Sequence, residues 1–257
     1  MEFLITSYWF IWVVAALTGY LIGSISFARI ISRLFGSTGE VKQIHREIPD
    51  TELTLESEAV AATTINLQLG PQYGCLTSLL DAAKAALPTW VFLYFFPDQH
   101  VYLATAFFAM TGHNYPLYHH FKGGRGLSPV IGSLLIIDWM GLLLSQLAAL
   151  MLGYLTGAVL AMRWAWMGIL ILWFILFPKD LWHAGYMTAS TLLFFFSMRK
   201  ELITAIKIGR ARKSTQEEVS EFMLMGRGLG RFIDHNGLPA LIRKAFRSGK
   251  KKKGEGR

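Results

Sequence analysis

An all-α integral membrane protein of about seven transmembrane helices, followed by a basic, amphipathic cytoplasmic tail, is the architecture the sequence predicts, on three observations. The first is composition: 53% of the 257 residues are hydrophobic, with 18 Phe and 8 Trp, too apolar for a soluble domain of this length. The second is run length, since a bilayer crossing takes about 20 predominantly apolar residues. Such runs occur at Tyr8 to Ala28, Leu76 to Phe96, Val101 to Leu117, Leu127 to Ile137, Met140 to Leu160, Trp164 to Phe177 and Leu181 to Met198. The fourth is too short to cross as a straight helix, so it is tilted, re-entrant or buried, and six crossings are the alternative count. The third is charge placement. Of 25 Lys and Arg, 16 lie from Arg199 onward. With seven crossings Arg29, Arg33, Lys42, Arg46, Lys122, Arg125 and Arg163 share their side, which puts the C-terminus in the cytoplasm and the N-terminus outside. Residues 1–200 then read as the membrane domain and 201–257 as the tail.

In chain order, the first run lacks a basic leader and a small-residue cleavage site, and reads as a retained helix. It ends in Gly23-Ser24-Ile25-Ser26, small residues that permit close helix approach. Gly36 to Ala59 is polar and acid-rich, with no apolar period, and is expected to be a loop. The second run carries Asp81 and Lys84, three residues apart and so on one helix face. Intramembrane charges mark functional sites by default, with each other as partners; a structural ion pair or a snorkelling lysine is the competing reading. Cys75, the single cysteine, excludes an intrachain disulfide and a cysteine-based metal site. Asp138 and Arg163 fall at span ends, as topological anchors.

Gly112 to Ser128, GHNYPLYHHFKGGRGLS, joins two apolar runs. Lys122-Gly123-Gly124-Arg125-Gly126 sets three glycines among two cations, a composition suited to sharp turning and to N–H groups converging on an anion. The next segment opens at Leu127, so a helix N-terminus adjoins the loop and favours negative charge. His113 is the titrating side chain nearby. The competing reading is a basic interhelical turn at the headgroup layer. Beyond Met198, Ser214 to Met223 has capping-box spacing before helical apolar positions. A second amphipathic helix follows Asn236-Gly237, with Leu238, Leu241, Ile242 and Phe246 on one face and Arg243, Lys244 and Arg247 on the other. Its expected seat is the anionic inner leaflet, and the lysine run at 250–253 reads as disordered. No nucleic-acid motif is present.

Taken together, GSISFA, AATT before LQLG, LLDAAKAAL and GHNYPLYHHFKGGRG resemble the bacterial acyl-phosphate:glycerol-3-phosphate acyltransferases, in order and spacing, from about Leu21 to Gly132. The resemblance implies a seven-span inner-membrane enzyme that moves an acyl chain from acyl phosphate to glycerol 3-phosphate, giving lysophosphatidic acid, without metal or other cofactor. It implies a catalytic role for Ser57 and His113. Substrate and phosphate binding would fall to Ser24, Thr63, Asp81, Lys84, Lys122, Gly123, Gly124, Arg125 and Gly126. Expected partners are the two substrates, the bilayer with its anionic inner-leaflet lipids, and a protein at the tail. Several family positions are not kept. Ser26 stands for a proline, and Glu56 to Thr64 replaces a glycine-rich loop of which the serine, one alanine and the threonine survive. Leu67 stands for an arginine, Ser197 to Glu201 for Arg-His-Arg-Glu-Asn, and a terminal Gly-Thr-Glu is gone. Two readings follow: an active acyltransferase, or a non-catalytic family descendant that acts as a membrane subunit or a lipid-phosphate-binding protein. A transporter is disfavoured, because no pair of interrupted spans occurs in equivalent halves.

Overall fold

A computed structural model describes residues 2–36, 41, 44–47, 54–57, 59–177, 180–211 and 227–244. Regular structure among them is helical except for one hairpin. The helices are α1 (Glu2–Gly23), α2 (Phe27–Phe35), α3 (Ala62–Leu69), α4 (Pro71–Phe95), α5 (Val101–Asn114), α6 (Leu127–Thr156), α7 (Val159–Leu176), α8 (Leu181–Ser197), α9 (Arg199–Ala211) and α10 (Arg227–Asn236). Helical turns continue over 238–244. Among the described residues, three segments are long and apolar enough to cross a membrane: Trp9–Phe35, Leu127–Thr156 and Val159–Leu176. Large apolar side chains such as Leu79, Leu87, Leu176 and Leu181 point outward and are exposed, which is stable when the surroundings are hydrocarbon.

The residues divide into two compact units, Met1–Leu142 with Ile171–Glu201, and Leu143–Leu170 with Leu202–Arg257. In the first, small residues set the packing. A Cβ at Gly19 would lie 2.3 Å from the Thr105 carbonyl oxygen, at Gly23 2.2 Å from that of Ala109, and at Gly112 2.2 Å from that of Tyr20. The backbones of α1 and α5 therefore meet without intervening side chains, as small-residue helix faces allow. Around α2, the buried Ala28 and Ile31 pack with Ile65 of α3, and Val60, Tyr73 and Leu80 close over them. Burying Ile65 fully contributes about 1.5–3 kcal/mol, and it ties the segment before α4 to the end of the first apolar run.

The structure redraws several expected boundaries. The first run is not one helix: it breaks over residues 24–26. The fourth and fifth runs join as α6, interrupted at Asp138, whose backbone is extended (φ −160°, ψ 81°). Asp138 is more than an anchor. Its Oδ1 accepts from the Gly141 N–H at 2.8 Å, capping the second half of α6, and its Oδ2 accepts from the Trp173 indole at 3.0 Å. A carboxylate at a new helix N-terminus satisfies donors that the break frees. The polar stretch before α3, expected as a loop, contains an antiparallel hairpin of Ile44–Glu47 (β1) and Thr54–Ser57 (β2), with His45 opposite Glu56. Two four-residue strands need no apolar face, so periodicity carries no signal for them.

Within the second unit α6 turns into α7 at Gly157 (φ 69°), and a Cβ there would lie 3.1 Å from Pro239. Ile233 and Ala240 are buried, while Leu241 and Ile242 stay exposed. The tail segment thus packs on the α6–α7 turn and leaves part of its predicted apolar face open. The amphipathic helix predicted after Ser214 and the lysine run at 250–253 lie outside the described residues.

Candidate functional site

The site is built on the segment leaving α5. The chain departs from helix at Tyr115, makes a 3-10 turn over Leu117–His119, and passes through left-handed conformation at His120 (φ 52°) and Phe121 (φ 58°). Non-glycine residues adopt that conformation uncommonly, so the surroundings must hold it. They do so from four elements. The Tyr20 hydroxyl donates to the Tyr115 carbonyl at 2.9 Å, and the Leu117 N–H donates to Ser24 Oγ at 3.3 Å. The Arg29 guanidinium donates to the Lys122 carbonyl at 2.7 Å, and the Val60 N–H to the Gly123 carbonyl at 3.0 Å.

The glycines serve a different need from the one their composition suggests. Among them only Gly126 has positive φ, at 82°, and there the chain enters α6. Gly123 and Gly124 are required for space: a Cβ at Gly123 would lie 2.1 Å from the His113 carbonyl oxygen, and one at Gly124 2.1 Å from His113 Nε2. The loop lies flush on the His113 ring. Two of its five N–H groups are also already engaged, that of Lys122 with the His119 carbonyl and that of Gly124 with the His113 carbonyl.

Beneath the loop sits a buried triad. Lys84 Nζ lies 2.7 Å from Asp81 Oδ1 and 3.0 Å from His113 Nδ1, and donates to the Ile25 carbonyl at 2.6 Å. His113 Nδ1 is 3.5 Å from the same Asp81 oxygen. The buried ammonium thus has hydrogen bonds to Ile25 and His113 and an ion pair with Asp81, the pairing a buried charge requires. An ammonium donating to Nδ1 sets the His113 proton on Nε2, the atom against Gly124.

Above the loop is a pocket of ≈ 180 Å³, walled by Ala59, Asn114, the 121–125 segment, Ser197 and the start of α9. Four cations line it, Lys122, Arg125, Arg199 and Lys200, with one acid, Glu201. Arg125 pairs with Glu201 at 2.5 Å. Asn114 Nδ2 donates to Ser197 Oγ at 2.8 Å, joining the end of α5 to the end of α8. Arg199 lies over the Phe196 ring, 4.2 Å from its centroid. Beside the loop, burial first and then the nearby Arg29 and Arg33 lower the His119 pKa from the ordinary histidine value.

Of the residues singled out from sequence, Lys122, Gly123, Gly124 and Arg125 line the pocket, and Gly126 forms the helix junction. Asp81, Lys84 and His113 come together below it and are not in its wall. Ser24 holds the loop backbone, donating to the Tyr20 carbonyl while accepting from Leu117. Thr63 is half-buried in the first turn of α3, where the buried hydroxyl is that of Thr64, which donates to the Ala59 carbonyl. Ser57 ends β2, two residues before Ala59; its backbone alone is described, as is that of Glu56, and Glu58 lies outside the described residues. Sequence reasoning missed Asn114, Ser197, Arg199, Lys200 and Glu201 as pocket residues. The signal for the last three was a cation pair and an acid directly after an apolar run, at the positions of a family motif.

The family model described as glycerol-3-phosphate acyltransferase matches residues 13–208. A glycerol-3-phosphate acyltransferase of Methylobacillus flagellatus is 32% identical over 190 residues, covering 66% of this chain and 88% of the relative. One from Rhizobium johnstonii is 37% identical over 121 residues, covering 47% of this chain and 52% of that protein, and one from Oceanobacillus iheyensis is 31% identical over 139 residues, covering 50% and 59%. The chain thus spans little more than half the length of these last two. In fold it is similar to the crystal structure of PlsY, an integral membrane glycerol 3-phosphate acyltransferase, in its glycerol 3-phosphate form. That likeness has a TM-score of 0.61 at 23% identity and covers 81% of this chain and 98% of the other. Because the matched region runs from α1 into α9 and takes in the loop, the triad and every wall of the pocket, the chain belongs to the glycerol-3-phosphate acyltransferase family.

Proposed function

We propose that the protein transfers an acyl chain from acyl phosphate to the first hydroxyl of glycerol 3-phosphate, giving lysophosphatidic acid. The observation that carries this reading is the pocket, where Lys122, Arg125, Arg199 and Lys200 line a polar space at the loop matching the family motif. Phosphate is the anion such a cluster suits, and each cation about 4 Å away contributes roughly 4 kcal/mol of Coulomb attraction at an effective dielectric near 20. The donor is a mixed anhydride. The substrate hydroxyl attacks its acyl carbon, the acyl–phosphate C–O bond breaks, and the departing phosphate takes the hydroxyl proton, so that positioning and charge stabilisation carry the step. In this proposal Ser57 occupies the catalytic position, and His113, read from sequence as catalytic, is a positioning residue that acts through its hold on Gly124. Asp81 and Lys84 keep His113 in place, Ser24 and Thr63 shape the approach, and Gly126 delivers the chain to α6.

In this reading residues 1–200 are the membrane domain, crossing the bacterial inner membrane about seven times with the N-terminus outside. Residues 201–257 form the cytoplasmic tail, which meets anionic lipid or a protein partner. A second reading, a non-catalytic lipid-phosphate binder, is favoured by the Arg125–Glu201 pair, which sets a carboxylate in the pocket beside a cation that phosphate needs. The deciding experiment incubates purified protein with acyl phosphate and labelled glycerol 3-phosphate. Labelled lysophosphatidate that disappears in Arg199→Ala/Lys200→Ala supports the transferase; glycerol 3-phosphate binding without product supports the binder.

A further inference from the structure

At the other end of α5, about 20 Å along the helix axis from His113 at 1.5 Å per residue, three side chains meet that the pocket does not use. His100 closes the turn before α5, Asp180 caps α8, and His183 lies in the first turn of α8. Their ligating atoms all lie within 4.8 Å of one another. His100 Nε2 contacts Asp180 Oδ2, and His183 Nδ1 is 2.7 Å from Asp180 Oδ1. We propose that His100, Asp180 and His183 form a binding site for a zinc-class divalent transition-metal ion.

Four features converge on this assignment. Two imidazole nitrogens and a carboxylate oxygen are the donor set that zinc and its neighbours take, with a fourth position left for water. The donors come from two separate chain segments, and His100 reaches the cluster from a left-handed backbone (φ 55°), a conformation uncommon outside glycine. His183 is oriented from behind: its Nε2 is 3.0 Å from the Tyr102 hydroxyl, and both residues are buried. In this structure Nδ1 faces the Asp180 carboxylate as a hydrogen-bond donor; for Nδ1 to bind an ion its proton moves to Nε2, where the Tyr102 hydroxyl can accept it, the outer-shell support that metal-binding histidines characteristically have. Access differs from face to face. Asp180 is 40% exposed and His100 24%, whereas the His183 side chain is 6% exposed and backed by Phe174. Water reaches one side of the cluster and apolar groups close the other. The Asp180 Oδ1 atom also accepts from the Trp182 and His183 N–H groups, so the start of α8 holds the carboxylate in place, with Oδ2 turned to His100. An ion there would fasten the α4–α5 turn to the start of α8.

The competing account is a hydrogen-bonded clasp, with imidazole protons where the ion would sit. Titration of detergent-purified, tag-free, chelator-treated protein with Zn²⁺, and in parallel with Mg²⁺, separates the two. The proposal expects one Zn²⁺ per chain, no comparable Mg²⁺ binding, and a Co²⁺ adduct with the absorption of a tetrahedral site. His100→Ala, at the exposed edge, should weaken Zn²⁺ by more than the ~10–100-fold that loss of an outer-shell group costs, and Tyr102→Phe should fall within that range. Asp180→Asn keeps the helix cap, because asparagine caps as well as aspartate, and should weaken Zn²⁺ as His100→Ala does. His119→Gln/His120→Asn should leave binding unchanged. Absence of Zn²⁺ binding by the wild type, binding that survives both His100→Ala and Asp180→Asn, or binding that follows His119 and His120 would overturn the assignment.

Discussion

Gly124→Ala tests the contact on which the pocket floor rests. The new methyl group would sit 2.1 Å from His113 Nε2 and 2.9 Å from Cδ2 and Cε1. Ordinary contact is about 3.5 Å, so the ring or the loop must give by roughly 1.4 Å. The ring cannot swing away freely, because Nδ1 is held by Lys84, and Lys84 by Asp81 and the Ile25 carbonyl. Overpacking of this kind costs about 1–3 kcal/mol, and a displacement near 1 Å in a positioned site costs about 10²-fold in rate. The expected outcome is a roughly hundredfold drop in acyl transfer, with a lowered thermal midpoint but intact helical circular dichroism. Adding His113→Ala supplies the needed room, so the double variant should recover at least about 1 kcal/mol relative to the sum of the single changes. Near-normal transfer by Gly124→Ala, or strict additivity in the cycle, refutes the reasoning.

Glu201→Gln removes the carboxylate facing Arg125, in a pair whose side chains are only 13% and 9% exposed, and equilibrium binding of glycerol 3-phosphate should tighten several-fold, because the Arg125 charge is released to the ligand; weaker binding would show that Glu201 organises the pocket. Gly23→Val places a Cβ 2.2 Å from the Ala109 carbonyl oxygen, and the yield of monodisperse protein on size-exclusion chromatography should collapse, whereas Gly168→Val, with nothing within 4 Å, should be tolerated. His119 has its pKa lowered by burial and then by Arg29 and Arg33, so the folded state favours its neutral form. Its contribution to stability is present above the unfolded value of about 6.5 and is lost as pH falls through the lower folded value. The thermal midpoint should drop between pH 7 and pH 5 by more in the wild type than in His119→Gln. Orientation is read with Lys251→Cys in a Cys75→Ser background, where an impermeant thiol reagent should label inverted vesicles and spare intact cells.

Much of the scaffold was legible because helical period and bilayer length act on local sequence. The Asp81–Lys84 pair follows from their spacing on one helix face, and the α6 start at Leu127 follows from the polar loop before it. The break at Asp138 was less legible, since it depends on a side chain turning back to the Gly141 N–H and on Trp173 from another helix. The pocket was half legible. Lys122 to Arg125 stand together in sequence, but Arg199, Lys200 and Glu201 reach them through packing across more than 70 residues, which no local pattern encodes. The glycines were read for dihedral freedom, yet at Gly124 it is the His113 ring that forbids a side chain. A neighbour distant in sequence leaves no local signal.

On the proposed function, and with the Lys122 and Gly124 N–H groups engaged inside the protein, the pocket meets its anion largely with the cationic side chains that line it. Backbone amides form a rigid mould, whereas lysine and arginine heads ride on several rotatable bonds and track their target. A grip of that kind grades ligands by charge before outline. Phosphate monoesters of different bulk should share it on similar terms, and recognition of the glycerol moiety then falls to the polar wall of Asn114, Tyr115 and Ser197.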